Sequence, residues 1–157
     1  MPSVFGKLNV KDQKEILVLN APASFEPELA TLEGIEIIRD LKKLKTAPFS
    51  LAFVTAQQEV DALAPAIARK AQGDAIVWFV YPKGTSKKYK SQIDRDNGWN
   101  VLGQEDFEPV RMVAIDEDWS AIRFRRAGFI KNMTRAEEHR LTERGKKRPA
   151  KTPPGKH

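Results

Sequence analysis

A single α/β domain is the fold class this sequence predicts: a mixed, mostly parallel sheet flanked by helices, closed by an antiparallel strand pair and followed by a basic tail. Three observations lead there. Short runs of branched and aromatic residues alternate with helical patterns. The run at 75–81, Ala-Ile-Val-Trp-Phe-Val-Tyr, lacks polar alternation, as a strand covered on both faces requires. Charge then divides the chain: basic and acidic residues number eighteen each over 1–130, against nine and three over 131–157. The net charge of +6 belongs to the tail, so the body is neutral.

The first strand is 15–20, Glu-Ile-Leu-Val-Leu-Asn, stopped by Ala21 and Pro22. Phe25, Leu29 and Leu32 then fall at helical spacing for one or two turns, and Gly34 restarts the chain into a second strand at 35–38. Leu41 and Leu44 make an amphipathic turn before Pro48, and 50–54 is the third strand. Thr55 is expected to cap the next helix with Gln58 reaching back. Val60, Leu63, Ala64, Ile67 and Ala71 line its buried face, Pro65 is expected to kink or restart it, and Gly73 ends it. The fourth strand, 75–81, follows. Ser91, with Asp94 three residues on, predicts a further helix carrying Ile93, Val101 and Leu102 and ending at Gly103. The segments 109–115 and 119–125 read as strands joined by Asp116, Glu117 and Asp118, a connection short enough to require an antiparallel pair.

The body, residues 1–130, is long enough to fold alone. In the tail, residues 131–157, Thr134 and Glu137 form a capping box for a helix over 134–144; beyond Gly145 the composition is that of a disordered basic arm. There is no cysteine, which fits a reducing compartment, and residues 1–7 lack the apolar stretch of a signal peptide. A cytoplasmic protein with no membrane span is expected. Both histidines, His139 and His157, lie in the tail, so any chemistry of the body must use Lys, Tyr, acids, hydroxyls and backbone groups.

Ligands of open parallel sheets bind beyond the carboxyl ends of the strands. That edge is expected to collect Asn20, Thr55, Tyr81, Lys83 and the loop containing Gly84 and Ser86. Asp116 and Trp119 join them if the fifth strand runs the same way. Lys83, Lys87, Lys88 and Lys90 favour an anion, and Gly84 lets backbone amides approach it. A solvated lysine-rich loop gives the same pattern, and the spacing is not that of a P-loop. No metal site is indicated: the acidic turn lacks the spaced oxygen ligands of a calcium loop. Arg123 and Arg125 share one face of the last strand, which is wet, faces a partner or lies beneath the tail.

The order of elements, ending in a helix and a strand pair, is similar to the class I methyltransferase sheet, a Rossmann-like arrangement. Its glycine-rich cofactor loop is absent from 20–25, Asn-Ala-Pro-Ala-Ser-Phe, and Val54-Thr55-Ala56 carries no Asn-Pro-Pro-Tyr motif. The resemblance implies the sheet and assigns no cofactor. A family of small bacterial proteins of unknown function, some joined to domains of the YdeI type, is resembled more closely. The likeness runs through 7–11, 17–22, 32–36, 78–83 and 115–124, specific in combination, and the pattern of Tyr81-Pro82-Lys83 and Asp116 with Trp119-Ser120 resembles the family's signature. It implies a fold and no activity. Three functions remain open: a non-catalytic or cryptic ligand-binding domain, a transferase-like enzyme acting on an anionic small molecule, and an adaptor whose tail, 131–157, binds nucleic acid or an acidic partner weakly.

Overall fold

A computed structural model describes residues 4–10, 13–94 and 97–130. The tail and its expected helix lie outside them. The elements are α1 (Val4–Lys7), β1 (Glu15–Leu19), a 3-10 turn (Ala23–Phe25) running into α2 (Glu26–Leu29), β2 (Glu36–Ile38), a 3-10 turn (Leu41–Lys43), β3 (Phe49–Phe53), α3 (Gln57–Lys70), β4 (Ile76–Pro82), α4 (Asn100–Gln104), β5 (Phe107–Ala114), β6 (Trp119–Arg126) and a last 3-10 turn (Ala127–Phe129). The sheet order is β2-β1-β3-β4-β6-β5; β1 to β4 are parallel, and β6 runs antiparallel between β4 and β5.

Strand parity splits the core into two layers. Val77, Phe79 and Tyr81 join Ile122 and Phe124 under α3 and α4. Trp78 and Val80 join Phe49, Leu51, Phe53, Trp119 and Ala121 beneath α1 and α2. Each layer carries a row of touching aromatic rings, in the tilted or edge-on packing that their quadrupoles favour. One runs Phe5, Phe25, Phe53, Trp119, Tyr89, with centroids 4.8 to 5.6 Å apart. The other groups Phe79, Tyr81 and Phe124 around Trp99.

Three local expectations are corrected. The cap of α3 sits one residue later than Thr55-Gln58: Ala56 occupies the N-cap and the carboxylate of Glu59 closes the turn. At Pro65 there is no restart: α3 runs unbroken from Gln57 to Lys70 with the proline inside it. The helix expected from Ser91 is loop at the described residues 91–94 and 97–99, and regular helix begins at Asn100. Here short polar side chains take the backbone groups a helix would use. Ser91 Oγ accepts from Ile93 N, and Asp94 Oδ1 accepts from Asn97 N.

Arg126 fastens the last strand to α3. Its guanidinium donates to the Ala68 and Ala71 carbonyls at the helix C-terminus and lies 4.6 Å above the Phe107 ring centroid. On the other face, Arg125 forms a two-pronged ion pair with Asp74, at 2.8 and 2.6 Å. That hydrogen bonding holds the Asp74 carboxyl below its ordinary value. A depressed acid contributes stability above the unfolded carboxyl range and loses it as pH falls through the folded value. Both partners are about one-third exposed, so Asp74→Asn is expected to cost under about 1 kcal/mol at neutral pH. Thermal melts of the two proteins should converge progressively below about pH 4.

Candidate functional site

The direction of chain progression reverses between β1 and β3, which makes the carboxyl ends of these strands the switch point of the sheet. Asn20 takes up left-handed backbone there (φ 60°), and its amide donates to the Phe53 carbonyl at 3.4 Å, bridging the two strand ends. Thr55 begins the turn into α3. Its N–H and hydroxyl both donate to Glu59 Oε1, at 2.7 and 3.3 Å, and Ala56 N donates to the same oxygen at 3.0 Å. Gln57 N donates to Gln92 Oε1. The positive end of α3 is thus already occupied by the chain's own oxygens.

Residues 83–94 and 97–99 lie along this edge and reach both faces of the sheet. On one side the Tyr89 ring packs against Trp119 at 4.8 Å; on the other Trp99 lies 5.7 Å from Tyr81 and donates from Nε1 to the Asp94 carbonyl. In between, Gln92 N donates to the Thr55 carbonyl. The loop's base is tied to the β5–β6 turn. Lys83 N donates to the Asp118 carbonyl, Ser86 Oγ donates to Asp118 Oδ1 at 2.8 Å, and Ser86 Oγ in turn accepts from Lys88 N and Tyr89 N. Asp116 Oδ1 accepts from Asp118 N and Trp119 N, which shapes the turn itself.

Within the loop lies a cleft of about 450 Å³, lined by Pro82, Lys83, Gly84, Ser86 and residues 89–94. Its charged groups are Lys83, Lys90 and Asp94; neither lysine makes a side-chain hydrogen bond or ion pair among the described residues.

Of the residues expected at the edge, Lys83, Gly84 and Ser86 meet in this cleft. Asn20 and Thr55 stand at the switch point. Asp116 lines a separate cavity of about 280 Å³ with Lys7, Ser24 and Glu28. Tyr81 and Trp119 are both buried and belong to opposite layers, because Tyr81 pairs with Ser120 while Trp119 pairs with Pro82. Trp119 Nε1 is buried without a hydrogen-bond partner. Sequence reasoning read Asp118 only as part of an acidic turn, passed over Glu59 and took the second half of the loop for helix. The signal for the last was the run of turn formers Asp94, Asn97 and Gly98.

No family model matches the chain, and no curated protein does. Among solved structures, a SAM dependent methyltransferase from Aquifex aeolicus is similar over 78% of this chain and 87% of its own, at 12% identity and a TM-score of 0.53. The fold is methyltransferase-like. Looser overlaps include the Methanococcus jannaschii fibrillarin pre-rRNA processing protein, with 12% identity, 81% and 69% coverage and a TM-score of 0.49. The N-methyltransferase NodS from Bradyrhizobium japonicum WM9 overlaps with 16% identity, 72% and 74% coverage and a TM-score of 0.43. Within this methyltransferase-like frame the cleft of residues 82–94 lies at the carboxyl end of β4. Among the described residues, no helix is long and apolar enough to cross a membrane, and no group of acidic residues is placed to hold a metal.

Proposed function

We propose that this chain is a ligand-binding domain for a small anionic molecule seated in the cleft of residues 82–94. The observation that carries the reading is the pairing of Lys83 and Lys90 around a cavity large enough for a metabolite, with both ammonium groups uncommitted among the described residues. A thermal-shift screen of phosphorylated and carboxylated metabolites tests it. At a hundred times Kd a ligand adds about 2.7 kcal/mol, so one class should raise Tm by several degrees. Lys83→Ala should abolish that rise while leaving the Tm of the unliganded protein unchanged. A screen without a saturable response, or a response that survives Lys83→Ala, overturns the reading.

The likeness to the Aquifex aeolicus SAM dependent methyltransferase favours a second reading, a transferase acting on an anionic substrate with Lys83 as electrostatic clamp. S-adenosylmethionine itself does not fit the ends of β1 and β3. The turn after β1 contains no glycine and packs Phe25 into the core, and the amides leading into α3, those of Ala56 and Gln57, are taken by Glu59 and Gln92. This reading therefore names no methyl donor. Kinship with the YdeI-associated bacterial family belongs to the same proposal. The residues that resemble its signature adjoin one another here, Tyr81 and Pro82 laddered to Ser120 and Trp119 with Lys83 N bonded to Asp118, which supports a role for them in building the edge.

A further inference from the structure

Three guanidinium groups stand together on the outer two strands, on the face that carries Trp78. Arg123 and Arg125 are two residues apart on β6, and Arg111 of β5 pairs directly with Arg123. Arg111 reaches that face through a bulge. The register steps from Pro109 opposite Phe124 to Arg111 opposite Arg123, leaving Val110 as the extra residue; without it, strand alternation would turn Arg111 to the other side.

Arg125 has its counter-ion in Asp74, and Glu108 lies across from it in the ladder. Arg111 and Arg123 have neither a side-chain hydrogen bond nor an ion pair among the described residues, and Arg123 Nε is buried without an acceptor. Burial, and then the charges of Arg125 and Arg111, press the Arg123 guanidinium below its ordinary value, with Asp74 opposing. Like charges directly opposite on a ladder destabilise it, and so does a buried donor left unpaired. Two unfavourable features therefore coincide at one point, and a bulge maintains one of them. Arrangements of this kind persist where a function uses them.

We propose that Arg111 and Arg123 form a second anion site, independent of the cleft, that takes a phosphate group. Two neighbouring guanidinium forks match an oxyanion with several oxygens, which each can hold in bidentate fashion. The site is distant from Lys83, since Arg123 pairs with Trp78, five residues or about 16 Å back along β4. A free phosphorylated molecule and a nucleic-acid backbone both present this chemistry.

The test uses the full chain carrying Lys83→Ala and Lys90→Ala, which silences the cleft, and titrates it by calorimetry with inorganic pyrophosphate and with a single-stranded oligothymidylate of about 12 nucleotides. Saturable pyrophosphate binding is expected, weakened about tenfold or more by Arg111→Gln and again by Arg123→Gln. Arg111 is exposed, so its variant keeps the fold even if Arg123→Gln does not. Tighter oligonucleotide binding with the same dependence on Arg111 identifies a nucleic-acid backbone as the source; arginine-dependent binding of pyrophosphate alone identifies a small phosphorylated molecule. Absence of pyrophosphate binding, or binding indifferent to both arginines, overturns the site.

Discussion

Trp78→Ala is expected to destabilise the protein by about 3–5 kcal/mol, the range for removing a large aromatic side chain from a packed core. For a body of this size that lowers Tm by roughly 12–20 °C. Trp78 is fully buried on a central strand, and its Nε1 donates to the Leu8 carbonyl at 2.9 Å. The side chain thus fills the layer beneath α1 and ties the amino-terminal segment to the sheet. Trp78→Phe separates the two roles. It keeps most of the ring but leaves the Leu8 carbonyl without its donor, for a loss of about 1–3 kcal/mol. Urea denaturation of the three proteins checks the order; equal losses for Phe and Ala would mean that the hydrogen bond, and not the packing, secures the segment.

Gly98→Ala comes next, at about 3 kcal/mol or more. Gly98 has φ 103°, and a Cβ there would come within 2.2 Å of Ile93 Cγ2 and 2.9 Å of Ile93 Cβ. The second atom is anchored to the backbone, so a rotamer change cannot remove the clash, and the dihedral strain of a non-glycine residue adds to it. The Gly98 carbonyl also accepts from Gln57 Nε2 at 2.9 Å, which couples this turn to the start of α3. Beyond lost stability, the variant should release residues 83–99 from the sheet edge. Amide exchange in that loop should accelerate by far more than in β3 or β4. Uniform acceleration across the sheet would show that the loop and the sheet open together.

The strands were legible because their branched and aromatic runs are bounded by Gly and Pro, and the antiparallel closing pair followed from the three-residue connection at Asp116. Helix α1 was not, since four residues provide no period to read. The cap of α3 was misplaced by one residue because Gln58 and Glu59 are adjacent and chemically interchangeable as caps. Residues 91–99 were misread for a physical reason: Ser91, Asp94 and Asn97 satisfy helix and turn patterns alike, and Gly98, by its positive φ, decides for the turn. The candidate site divided for want of register. Placing Tyr81 and Trp119 together needs only proximity along the edge; learning that they face opposite layers needs the pairing of Tyr81 with Ser120. The same pairing information reveals the bulge at Val110, which no composition rule anticipates.

The two rims of the sheet have a consequence for how this protein meets others. A strand with open amides and carbonyls invites another chain to join it, the route by which sheet proteins polymerise. On one rim β2 is only three residues long, with Glu36 exposed; on the other, β5 lacks the donor of Pro109, is bent at Val110 and carries exposed Arg111. Exposed apolar side chains at Val110 and Met112 therefore sit on a border that is poorly shaped for accepting a further strand. Concentrated solutions should stay free of fibrils, and recognition is left to side chains, not to lengthening of the sheet.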